Sequence, residues 1–148
     1  MATSYLLFVL CDSKKTIRIG SIGTIDFEEG VYVYVGSANL ENPMSRVLRH
    51  FRNIKSLRWH IDYLTSSCKI LGALVCEGLS EEEAYEDVSK LQLLSPHALG
   101  FGSTDFRGHM THLFKIVSYS RDPLDEVRNT LVEKWVCGKV SVIRNNIA

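Results

Sequence analysis

The run Val31-Tyr32-Val33-Tyr34-Val35-Gly36-Ser37-Ala38-Asn39-Leu40-Glu41-Asn42-Pro43 decides the fold. Its first five residues are all β-branched or aromatic, which is the composition of a strand. Gly36 ends the strand and permits backbone angles that other residues resist. Asn42-Pro43 then opens a helix, with a capping residue followed by proline at the first helical position. Past that start, Met44, Val47, Leu48, Phe51 and Ile54 recur at helical spacing.

Upstream, residues 4–10 are rich in strand formers and read as a buried strand. Residues 17–20 alternate and read as a second strand, and Glu29-Gly30 is a turn. The three strands predict an antiparallel meander. Downstream, a second helix is expected through Leu57, Ile61 and Leu64, then a strand over residues 69–77. Ser80 and Glu83 form a capping box, and the helix they open turns Ala84, Val88 and Leu91 inward. Residues 99–109 are glycine-rich and polar, hence a loop, and residues 111–117 return as a strand. Asp122-Pro123 starts a last helix through Leu124, Val127, Leu131 and Trp135, closed by Gly138. Residues 139–144 alternate as an edge strand. The order predicts an α+β fold with a small antiparallel sheet flanked by helices. One domain is expected over 148 residues, its core at about 3–117 and a helix and strand within 122–144.

Composition narrows the function. Lys plus Arg and Asp plus Glu each number 17, so no net charge attracts phosphate and any nucleic-acid site must be local. No apolar run approaches a membrane span, and the apolar run near the N-terminus lacks the basic flank of a signal peptide. Cys11, Cys68, Cys76 and Cys137 are scattered without a CxxC pair. Four free thiols in a reducing, cytoplasmic setting are expected. GxGxxG, GxxxxGK[ST] and GxSxG are all missing from the sequence.

Positive charge is concentrated between Pro43 and His60, where Arg46, Arg49, Arg52, Lys55 and Arg58 occur without an acid. Arg46 and His50 lie one turn apart and are expected to be exposed together, beside the end of the Val31 strand. Guanidinium and imidazole suit a phosphate site, while a plain solvated face is the other reading of the same charges. The turn Gly36-Ser37-Ala38-Asn39 links strand to helix, a place where backbone N–H groups can meet an anion. Tyr32 and Tyr34 share a strand face, with Tyr5 on a candidate neighbouring strand. Tyrosines on strands are most often core or cross-strand packing. Glu81 lies three, four and seven residues before Ala84, Tyr85 and Val88, over the inward face, where it could hold a hard cation such as Mg²⁺. Glu82 points further outward, and all three glutamates complement the helix dipole. A site of His109, His112 and Asp105 fits no standard zinc spacing.

These segments together resemble the GIY-YIG nuclease superfamily. The nearest likeness is to small prokaryotic GIY-YIG-like domains of unknown function, some of them fused to endonuclease III-type glycosylases. Thr3-Ser4-Tyr5 stands where the GIY tripeptide falls, and Tyr34-Val35-Gly36 where the YIG strand exits. Arg46 and His50 keep the Arg-x-x-x-His spacing. Residues 57–64, 100–105 and 112–114 match marks of the subgroup, so the likeness spans about residues 3–115. The first tripeptide is reduced to its tyrosine, and a hairpin of inserted length separates Tyr5 from Tyr34. Phe106 and Gly108 stand where the subgroup often has cysteines.

The resemblance implies a metal-dependent endonuclease acting on DNA, in repair if the fused partners are a guide. Glu81 would hold Mg²⁺ or Mn²⁺. Tyr5, Tyr34, Arg46 and His50 would be catalytic. Ser37, Asn39, Arg49, Arg52, Lys55 and Arg58 would contact nucleic acid, while His60 and Asp105 would shape the pocket without a step of their own. The alternative is a non-catalytic nucleic-acid-binding module of the same fold, and a third is a basic helix that meets an acidic protein.

Overall fold

The computed structural model describes residues 2–52, 56–117, 121–131 and 139–145. Strand β1 (Thr3–Cys11) is the centre of a six-stranded sheet. It pairs antiparallel with β4 (Gly30–Ser37) on one side and β5 (Lys69–Glu77) on the other. Between β1 and β4 the chain makes β2 (Lys15–Arg18) and β3 (Thr24–Phe27), which pair only with each other. The expected meander is therefore corrected: the second strand closes a separate hairpin with Thr24–Phe27, and β1 joins β4 directly. The third short strand was missed because it is polar and mostly exposed at Thr24 and Asp26.

Helices α1 (Pro43–Arg49) and α2 (His60–Thr65) follow β4, and α3 (Glu81–Ser89) follows β5. The chain then returns through β6 (Leu94–Pro96) and β7 (Leu113–Ile116), adds α4 (Pro123–Leu131), and ends its sheet with β8 (Lys139–Arg144). The strand order is β6-β7-β4-β1-β5-β8, and every pairing is antiparallel. This is the α+β architecture expected. Helix α1 stops at Arg49, short of the apolar pattern that runs on to Ile54; Ile54, Lys55, Trp135, Cys137 and Gly138 lie outside the described residues.

The sheet is covered on both faces, which explains why β1 is apolar at nearly every position instead of alternating with polar residues. Tyr5, Leu7 and Val9 point into one core with Val47, Ile61 and Leu64 from α1 and α2 and Phe27 from the hairpin. Leu6 and Phe8 point into the other with Ala84, Val88, Leu124 and Leu131 from α3 and α4. No described helix is long and apolar enough to cross a membrane.

The cysteine reading is overturned. Cys11 at the end of β1 and Cys68 after α2 form a disulfide, with Cα atoms 4.9 Å apart across 57 residues of sequence. No cysteine among the described residues is free. The spacing gave no hint because the pair is made by strand β1 meeting the end of α2. The thiol argument for a reducing compartment falls with it.

Candidate active site

Tyr5 and Tyr34 set the floor of a cleft. Register places Tyr5 opposite Gly36 and Tyr34 opposite Leu7, so the two rings lie diagonally across the β1–β4 pair, 6.2 Å between centroids. Each ring rests on a glycine. A Cβ at Gly36 would stand 2.6 Å from Tyr5 Oη, and one at Gly102 would stand 2.8 Å from the Tyr34 ring. Gly102 also holds φ at +66°, in the left-handed region that favours glycine. Tyr34-Val35-Gly36 and the 100–105 loop are thus two halves of one seat.

The cleft has a volume of about 340 Å³. Tyr5, Tyr34, Ser37, Arg46, Arg58 and Glu81 all line it, together with Trp59, His60 and residues 102 and 104–106 of the glycine loop. Arg46 Nη1 donates to the Ser37 carbonyl over 3.0 Å, which anchors the guanidinium at the cleft and leaves its remaining N–H groups for a ligand. The same guanidinium lies 5.2 Å from the Trp59 ring centroid, and Arg58 lies 5.8 Å from it.

His50 was expected on an exposed face beside Arg46, and the structure corrects this: His50 is fully buried. Helix α1 is only two turns long, and its end dips under the sheet, bringing His50 Nε2 within 2.7 Å of Tyr5 Oη. Burial, reinforced by Tyr34 and only partly offset by Arg46, pushes the Tyr5 phenol well above its usual pKa. Burial and Glu81 do the same for Tyr34. Both phenols are protonated at neutral pH.

Glu81 is the first residue of α3 and turns inward, as its helix phase predicted; its side chain is 14% exposed. Its Oε2 lies 2.8 Å from Nδ1 of buried His112, whose Nε2 lies 2.9 Å from His109 Nδ1. Tyr85 and Phe106 stack on His109 at 3.8 and 5.1 Å. Glu82 is exposed, and Glu83 completes the capping box with Ser80 at 3.1 Å in both directions. His109, His112 and Asp105 form no metal cluster; no group of three or more potential His, Cys, Asp or Glu ligands occurs among the described residues. Two carboxylates line the cleft: Asp105 is exposed, and Glu81 is the one steadied by His112. One held carboxylate facing a cleft roomy enough for water suits Mg²⁺, which keeps several waters and takes few protein ligands.

The remaining basic residues are not gathered together. Arg49 makes a bidentate pair with buried Asp62 at 2.8 and 3.1 Å and donates to the Ser56 carbonyl. Asp62 also accepts from the backbone N–H of Arg58 and of Trp59 at 2.9 Å each. Burial alone would raise its pKa, but Arg49 and the two amides hold it below the usual range. Arg52 borders a second cavity with Ser67 and Lys69. Asn39 Oδ1 accepts from Thr3 N–H, and the amides of Ala38 and Leu40 bond to carbonyls of Thr3 and Ala38. The expected anion-binding turn is thus closed on itself at those two amides. Lys55 lies outside the described residues.

Trp59 and Thr104 belong to the cleft and were not singled out from sequence, and Phe106 was noted only for standing at a cysteine position of the subgroup. The Arg58-Trp59-His60 triplet offered a signal, an aromatic among cations next to a histidine. The family model described as "Domain of unknown function DUF123" matches residues 4–135, which include every cleft residue named above. No curated protein and no solved structure matches the chain.

Proposed function

The chain belongs to the DUF123 family, a domain of unknown function, and from that premise we propose that it is a GIY-YIG-type, metal-dependent endonuclease acting on DNA. The observation that carries this reading is the meeting of Tyr5, Tyr34, Arg46 and Glu81 on one cleft, with His50 behind Tyr5 at 2.7 Å. Four elements, β1, β4, α1 and α3, supply two phenols, a guanidinium, a carboxylate and, at the end of α1, an imidazole to one place. That set suits phosphodiester hydrolysis.

Arg46, fixed by Ser37, binds the phosphate and stabilises charge developing on it. Tyr34 orients the phosphate or the attacking water by hydrogen bonding. Tyr5 Oη takes the proton of that water as it passes its own to His50 Nε2, so the phenol stays neutral and the proton finally rests on imidazole. This suits a phenol that burial keeps neutral: it relays a proton without becoming a lasting phenolate. Glu81, steadied by His112, would hold Mg²⁺ or Mn²⁺. When bound, the ion polarises the phosphate and offsets charge on the leaving oxygen. Arg58 and Trp59 give the rim a cation and an aromatic face for the strand. A repair setting beside an endonuclease III-type partner rests on the resemblance alone.

The test is cleavage of labelled single-stranded, duplex and branched DNA with Mg²⁺ or Mn²⁺, wild type beside Arg46→Ala. Wild type should cut, and the variant should be slower by on the order of 10²-fold. Equal cutting by both refutes the assignment of the site. Salt-sensitive binding without cutting by either protein favours the binding module.

A further inference from the structure

We propose that His60 is a further catalytic group of this cleft, a neutral imidazole that donates its Nε2–H to a non-bridging oxygen of the phosphate; the proposal rests on the endonuclease reading. The Gly102 backbone N–H donates to His60 Nδ1 over 2.9 Å. A backbone amide can only donate, so Nδ1 is the acceptor and bears no proton. A neutral imidazole with a bare Nδ1 carries its proton on Nε2. His60 lines the cleft with Tyr34, Arg46 and Glu81, so this N–H is the polar group its ring has left to offer a ligand there.

Three contacts fix that donor before any substrate arrives. Asp62 holds the start of α2 through Arg58 and Trp59 N–H, which sets the backbone of His60. Gly102 sets the ring's rotation and tautomer. Phe101, 5.7 Å between centroids, flanks the ring. Protonating Nδ1 would break the Gly102 bond, and burial also disfavours the imidazolium. The group is thus held uncharged at neutral pH. Arg46, already assigned to the phosphate, is cationic and attracts it before reaction. An uncharged donor adds little to that attraction and strengthens as charge builds on the oxygen, which makes it selective for the transition state. No bond to His60 forms or breaks; it donates a hydrogen bond only.

The first measurement is ¹⁵N NMR of the imidazoles and guanidinium groups in the wild-type chain at neutral pH. It is recorded alone and with a short single-stranded oligonucleotide, without divalent metal. His60 should be neutral and protonated on Nε2, and that N–H should shift together with the Arg46 resonances when DNA is added. A protonated Nδ1, or Arg46 shifts without His60 shifts, overturns the proposal and leaves the nucleic-acid reading standing. No response from either residue overturns both. The second measurement is kinetic. His60→Gln and His60→Ala should lower kcat by on the order of 10²–10³-fold with KM little changed. For one phosphorothioate diastereomer the loss should be much smaller, because sulfur accepts the hydrogen bond poorly. Equal losses on oxygen and on both sulfur substrates mark His60 as structural and overturn the proposal.

Discussion

At the scale of single residues, the geometry of the site depends on what two glycines leave out. Tyr5 can lie over Gly36 because no methyl group stands there. Gly36→Ala should push the Tyr5 ring away from His50, cost about 1–3 kcal/mol by overpacking, and abolish cleavage. Urea unfolding and the DNA assay check both parts; unchanged activity would dissociate the Tyr5–His50 bond from catalysis. Histidines set a second residue-scale prediction. His60 is lowered in pKa by burial, and His109 by burial and by neighbouring His112. The unfolded chain's imidazoles take up protons near pH 6.5, above the folded values. Their contribution to stability is therefore complete above that pH and is lost as pH falls toward the folded values. Tm should drop between about pH 7 and pH 5, and His60→Gln with His109→Gln should flatten the drop.

At the scale of elements, Asp62 clasps the two short helices. It joins Arg49 of α1 to the first turn of α2 and so places Trp59 and His60 on the cleft. Arg49→Ala leaves a fully buried carboxylate without its cation and should cost roughly 3 kcal/mol, the low end for a buried pair because the guanidinium is partly wet. The urea midpoint should fall with unchanged slope, and the cleft should loosen with it. A midpoint within error of wild type would show the clasp to be dispensable. The elements themselves were largely legible in the sequence. Residues 69–77 and the box at Ser80 appear where period and capping placed them. Tyr34, Arg46 and Glu81 line one cleft, and Glu81 is turned inward as its helix phase predicted. What sequence hid was direction. Helical spacing puts Arg46 and His50 on one face but does not say that α1 ends by dipping beneath β1. Charge counting likewise grouped Arg49 with the free cations, because its partner Asp62 stands beyond the basic run and is joined to it only by the fold.

At the scale of the whole molecule, the Cys11–Cys68 disulfide ties the end of the central strand to the chain after α2. It closes 57 residues that include β4, the basic helix and half of the residues lining the cleft. A loop of that length predicts a loss of about 4 kcal/mol when the bond is removed. Unfolding with and without reductant, beside Cys11→Ala, checks this; identical curves would show that the bond adds nothing to stability.

The place of β1 in the sheet bears on how the protein is made. Its second neighbour, β5, is translated more than sixty residues after it, as the pairing of Thr3 with Glu77 shows. Until then the nascent chain carries a very apolar strand with one edge open, the arrangement most inviting to other growing chains. Slowed synthesis, or messages truncated before residue 69, should therefore yield aggregates, and chaperones that shield extended apolar segments should matter most during that interval.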